Sequence, residues 1–245
     1  MPKYVAPESD EKRLAVLDMI SLTAPVDIAA GRGYLTQDAL DPLLVFAGKF
    51  GVAFKAMTAS QGERSRETAE REAALERLKT HVRDFRETLR RRVYRTNQPA
   101  GVLNKYNLPL DGAFDEPTTY QDWFMAAQTL INGDAEAVAA GFPAMTNPSA
   151  AEVAAALTTA KAETTDVAAA EANLDEAQAA VAALRPEADV LIADVMEQIR
   201  FALRKQDAAS QRRILWLYGA QFRYLPGETP DEAAVPEPVA APVAA

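Results

Sequence analysis

Between Leu40 and Leu89 the chain returns an inward-type residue in alternating steps of three and four: Leu40, Leu43, Ala47, Phe50, Phe54 and Met57, then Leu75, Leu78, Val82, Phe85 and Leu89, with Val93 four residues on. That is the 3.5-residue period of left-handed coiled-coil packing, and it leaves few architectures open, because such a stripe has to face another helix. Gln61, Arg64, Thr68 and Arg71 carry the same frame through a polar middle. The preserved register predicts one helix over 36–94, about 90 Å long at 1.5 Å per residue. A break near Ser60-Gln61-Gly62 is the alternative, since glycine costs roughly 1 kcal/mol relative to alanine inside a helix.

Composition points the same way. Only 7% of the chain is aromatic and 11 of its 245 residues are glycine, too few for a sandwich or barrel of short strands and tight turns. Much of the 49% apolar content is alanine, which favours helix but buries little area. The expected fold class is all-α: an elongated antiparallel coiled coil or helical bundle, with a small capping helix and a disordered C-terminal tail.

Residues 1–33 read as an N-terminal helix and linker. Ser9 is placed to cap a helix over 9–22 with Leu14, Leu17 and Ile20 on one face, and Pro25 is expected to end it. Thr36 is placed to cap the long helix, with Asp38 in its electropositive first turn. The bundle itself is expected over 34–225. Residues 95–148 are the irregular part, punctuated by Asn97, Gln98, Pro99, Gly101, Asn107, Pro109, Asp111 and Gly112. Inside them Thr118 and Gln121 form a capping-box pattern opening a short helix, with Trp123, Phe124, Ala127, Leu130 and Ile131 on one stripe and Asn132-Gly133 closing it. Ser149 and Glu152 make a second box, starting a helix over 149–185 whose seam is Val153, Leu157, Ala160, Thr164, Val167, Glu171, Leu174, Gln178 and Val181. Arg185-Pro186 offers a reversal into a fourth helix over 187–222, an antiparallel hairpin; one kinked helix is the alternative. From Glu228 on, four acidic residues and four prolines among alanines and valines predict a disordered tail over 226–245.

Charge supplies the candidate sites. Arg83, Arg86, Arg90, Arg91, Arg92 and Arg95 form one basic run, and Arg200, Arg204, Lys205, Arg212 and Arg213 a second. Together they are candidates for one cationic end that binds an anion or a nucleic-acid backbone. Against this, the formal charge is −9, and residues 149–184 hold six acidic side chains and one lysine, an acidic helix ready to pair with the arginines internally. Gln61, Arg64, Thr68 and Arg71, polar where a seam is usually apolar, are the candidate seam for a partner.

His81 is the sole histidine and there is no cysteine, so neither a histidine–thiolate metal site nor thiol chemistry is expected. Glu171 is the one carboxylate at a seam position. No phosphate loop, nucleophile elbow or catalytic triad pattern occurs. Trp216, Tyr218, Phe222 and Tyr224 are expected to pack the last helical turn against the irregular middle. The expected function is therefore a non-catalytic structural or interaction protein that self-associates or holds a protein partner, with no cofactor and no metal. Anion or nucleic-acid binding is one alternative. A membrane-active protein, in which Pro42 to Met57 moves from core to bilayer surface, is another. That stretch, interrupted by Lys49 and Lys55, is shorter than the roughly 20 residues of a spanning helix. Without an apolar leader the expected location is cytoplasmic, with signal-independent export left open.

Overall fold

The computed structural model describes residues 2–96, 99–111 and 114–224. The expected tail at 226–245 lies outside the described residues, as do Asn97, Gln98 and Gly112. The fold is all-α, as the seam requires. Among the described residues the α-helices are α1 (Asp10–Ala29), α2 (Gln37–Arg95), α3 (Tyr120–Ala139), α4 (Ala150–Leu203) and α5 (Ala208–Leu217), with a 3-10 helix at Ala100–Tyr106. Two short strands, β1 (Lys3–Val5) and β2 (Gln221–Arg223), pair antiparallel with Tyr4 opposite Phe222.

Contacts divide the chain into two compact units, and α2 and α4 each contribute to both. Residues up to Ala59 and from Glu176 onward form the first, and Ser60–Asp175 the second. In the first, Leu17, Ile20 and Ala24 of α1 meet Leu40, Leu43 and Phe50 of α2, Val181, Ala188, Ile192 and Ile199 of α4, and Tyr218 just past α5. Residues 1–33 thus share this core. In the second, Leu78, Val82, Phe85 and Leu89 of α2 meet Leu103 and Tyr106 of the 3-10 helix, Trp123, Ala127 and Leu130 of α3, and Val153, Leu157 and Ala160 of α4. Each fully buried Leu, Ile or Phe contributes about 1.5–3 kcal/mol, so both cores are held mainly by these seams. Within the second unit α2 and α4 run antiparallel: Arg64 reaches Glu171 at 3.2 Å, while Thr88 donates to the Asn147 carbonyl at 3.1 Å.

The caps at Ser9, Thr36 and Ser149 form as their residue types dictate. Ser9 accepts from the Lys12 amide, Thr36 from the Ala39 amide, and Ser149 and Glu152 close a reciprocal box. The other box lies one residue later than expected, between Thr119 and Asp122.

Several boundaries differ from the sequence reading. Helix α1 runs through Pro25 to Ala29. Pro25 is exposed, where water can satisfy the carbonyl its ring leaves unbonded. Gly133 does not close α3 but sits buried inside it. No hairpin forms at Arg185-Pro186, because α4 continues through it to Leu203. Proline costs about 3 kcal/mol in a helix interior, and two things offset it. Pro186 is exposed, so water can reach the carbonyl its ring leaves unbonded, and Val181, Leu184, Ala188 and Ile192 dock on both sides of it. The fourth helix expected over 187–222 is interrupted instead near Asp207, whose carboxylate accepts from the Ala209 and Ser210 amides and starts α5 anew.

Helix α2 is continuous through Gly62, but the inward face of its middle is displaced. Glu67 and Ala74 are buried, whereas Gln61 and Arg64 are exposed and Thr68 and Arg71 half-buried. In α4, likewise, Ala170 is buried and Glu171 exposed. Ala74 and Ala170 turn inward where the two helices lack large apolar side chains, and Glu67 turns inward with its carboxylate held by Arg66.

Candidate interaction surfaces

The first basic run lies in the second unit, and Arg83, Arg86, Arg91 and Arg92 are engaged within it. Arg83 pairs with Glu116, ahead of α3, and its guanidinium lies 5.1 Å from the Trp123 ring centroid. Arg86 stacks on Phe114; its Nε and Nη1 are buried without a hydrogen-bond partner, and that desolvation lowers its pKa to about 10. Arg92 donates to the Pro143 and Ala144 carbonyls at 2.7 and 3.1 Å. Arg91 pairs with Glu87 on its own helix at 2.9 Å. Arg90 and Arg95 are exposed. The partners of this run are therefore Glu116, Glu87, aromatic rings and loop carbonyls, in place of the acidic helix anticipated at 149–184. That helix takes Arg64 instead, through Glu171.

The second basic run belongs to the first unit, so neither unit gathers both clusters into a single cationic end. Arg200 lies 4.5 Å from the Tyr4 ring centroid, and Arg204 donates to the Phe201 carbonyl at 2.8 Å. Arg213 donates to Ser210 at 2.9 Å; Lys205 is exposed and Arg212 half-buried. Two members of the aromatic cluster pack within the first unit. Tyr218 is buried against α1, where its hydroxyl donates to Asp27 at 2.7 Å, and Phe222 meets Tyr4 edge-on. Trp216 stays 55% exposed.

Two features escape a reading by periodicity. In each unit a buried aspartate accepts from a buried tyrosine: Tyr218 to Asp27 in the first, and Tyr106 to Asp134, at 3.0 Å, in the second. Burial first, then the carboxylate, raises the pKa of both phenols. Asp134 also accepts from the Met145 amide at 3.0 Å, and Asp27 pairs with Arg32 at 2.9 Å. Asp27 sits between Val26 and Ile28, and that contrast was the available signal; Asp134, beside Gly133 and close to Asn132 and Glu136, offered none.

Also unanticipated is an acidic trough in the second unit. A hollow of about 310 Å³ is lined by Glu63, Glu67 and Glu70 of α2 with Glu163, Asp166 and Asn173 of α4. Carboxylate oxygens of Glu67, Glu163 and Asp166 lie within 4.8 Å of one another. An oxygen-only set suits a hard divalent cation. Arg66, however, already holds Glu67, the most buried of the three, at 2.5 Å, and also reaches Glu63 and Glu70. A second hollow, of about 500 Å³, includes His81, Glu87, Arg91 and Glu152. There His81 Nδ1 bonds the Arg77 carbonyl at 2.8 Å, Glu87 holds Arg91 and Glu152 serves the Ser149 cap.

The least satisfied surface is apolar. Helix α2 holds an 18-residue stretch long and apolar enough to cross a membrane by length and composition alone, and 22% of it is buried. Val45 and Val52, two turns apart on α2, are 78% and 72% exposed. Gly48 lies between them, and a Cβ added there would touch nothing within 4 Å. No protein-family model, curated protein or solved structure matches the chain, so function rests on this geometry.

Proposed function

We propose that the chain is a non-catalytic helical interaction protein, one that self-associates or holds a protein partner. The observation that carries this reading is the uncovered apolar face of α2 in the first unit, where Val45 and Val52 stand in solvent beside a complete core. Two exposed valines on one face of a helix offer apolar area that a partner would remove from water. The polar interval first considered as the partner seam supports it less well. Arg64 is paired with Glu171, while Arg71 and Thr68 are half-buried. Anion binding by the arginine runs is also less favoured, because Arg83, Arg86 and Arg92 are engaged by Glu116, Phe114 and loop carbonyls.

Light scattering on the eluting protein, with and without brief chemical cross-linking in its native extract, tests the reading. It predicts a discrete species heavier than the 26.5 kDa chain, of itself or of fixed stoichiometry with another protein. A monomer at every concentration, with no cross-linked species, would rule it out. Salt-sensitive retention on heparin by such a monomer would transfer the case to the arginines.

A further inference from the structure

Resting on that reading, we infer that the occupant of the exposed α2 face is a second copy of this chain, docked antiparallel about a two-fold axis between Gly48 and Lys49. At about 100° per residue, Val45, Val52 and Ala56 project within roughly 40° of one another, with Gly48 on one flank and Lys49 on the other. All five are exposed apart from the backbone they share.

The pattern is complementary to its own reversal. With the axis between 48 and 49, Val45 falls opposite the partner subunit's Val52, and Val52 opposite the partner subunit's Val45. Asp41 and Lys55 lie on the same flank of α2 as Gly48, both exposed. Reversal about this axis brings Asp41 level, to within about one 1.5 Å residue rise, with Lys55 of the partner subunit. Symmetry makes that ion pair twice, which is how a two-fold interface repeats every contact. In a parallel pairing Asp41 meets Asp41 and Lys55 meets Lys55 instead.

Gly48 fits this arrangement and nothing in the fold explains it otherwise. An exposed interior glycine costs roughly 1 kcal/mol against alanine. Unlike Gly133, it has no neighbour that excludes a Cβ. Beside the axis it lets the backbones come close. The two Lys49 ammonium groups then share one flank. The two lysines consequently act in opposite directions: Lys55→Gln weakens the pair, and Lys49→Gln strengthens it.

The absence of cysteine makes the register testable by cross-linking. Val45→Cys and Val52→Cys are made as separate single variants of the full chain and oxidised alone and as an equimolar mixture. The mixture is expected to give the disulfide-linked heterodimer. Either variant alone is not, because equal positions lie about 10 Å apart along the axis, beyond disulfide reach. Asp41→Lys should weaken dimerisation about 3- to 30-fold at low salt, the range for two exposed ion pairs, and adding Lys55→Asp should restore it. Covalent homodimers of the Val45→Cys variant alone, or no heterodimer in the mixture, would overturn the inference. If light scattering still found a complex, the interaction reading would survive that result. Partition onto phosphatidylcholine–phosphatidylglycerol vesicles by a protein that stays monomeric without them would also overturn it and point to a bilayer as the occupant.

Discussion

Gly133→Ala sets local helix propensity directly against the packing described for the second unit. In an isolated helix the substitution stabilises by about 1 kcal/mol. Here the new Cβ would stand 2.6 Å from the Lys105 carbonyl oxygen and 2.8 Å from Tyr106 Cα, both backbone atoms, where ordinary contact begins at 3.4 Å. Relief requires α3 to back away from the 3-10 helix by about 0.8 Å. Overpacking of this kind costs about 1–3 kcal/mol. The same movement stretches the 3.0 Å Tyr106–Asp134 hydrogen bond, and a buried bond of this type contributes about 0.5–1.5 kcal/mol. The net expectation is a loss of about 1–3 kcal/mol. Gly62→Ala supplies the control, since Gly62 is also interior to a helix and a Cβ there meets nothing within 4 Å; it should gain about 0.5–1 kcal/mol. Urea unfolding followed by Trp123 fluorescence in a Trp216→Phe background reads the second unit, because the chain has only two tryptophans. Stabilisation of both variants alike would refute the close approach of α3 to Ala100–Tyr106.

Three further perturbations test separate parts of the account. Asp10 accepts two hydrogen bonds from Arg185, at 2.9 and 2.8 Å, which hold its pKa below 3.8, and it also meets Arg13. A carboxyl depressed on folding stabilises above its unfolded pKa and loses that contribution as pH falls through the folded one. Asp10→Asn should therefore cost about 0.5–1 kcal/mol at pH 7, after solvent screening, and nothing near pH 2, as read by urea titrations at both pH values. Tyr218→Phe strips the buried Asp27 of its 2.7 Å donor and should destabilise the first unit by about 1–3 kcal/mol in thermal denaturation. Arg86→Met removes a guanidinium whose Nε and Nη1 are buried without partners, and should leave stability unchanged or raise it by about 1 kcal/mol in the same assay.

The sequence was most legible where apolar residues repeat. Leu40 to Phe50 and Leu78 to Val93 fall inward on the predicted frame because burying them dominates every competing term. Ser9, Thr36 and Ser149 were legible because their side chains satisfy amides that a helix start leaves open. In the polar centre the frame could not choose between Glu67 and Thr68, or between Ala170 and Glu171, since no large apolar residue there fixes the phase. Pro186 was misread for a related reason: its penalty is local, whereas the docking that outweighs it involves α1 and the start of α2. The arginine runs were visible as charge, but their partners, Glu116, Phe114 and the Pro143 carbonyl, lie 28 to 51 positions away, beyond what periodicity describes. Gly133 looked like a helix end because its purpose, contact with the Lys105 backbone, is tertiary.

Sedimentation equilibrium of the full chain, over a concentration range of about a hundredfold at low and moderate salt, tests the central claim most directly. For a chain associating through α2, the weight-average mass should climb from 26.5 kDa toward twice that value, and Val45→Asp with Val52→Asp should hold it at the monomer while the helical spectrum is retained. A wild-type chain that stays at 26.5 kDa throughout, with those substitutions making no difference, would contradict the account.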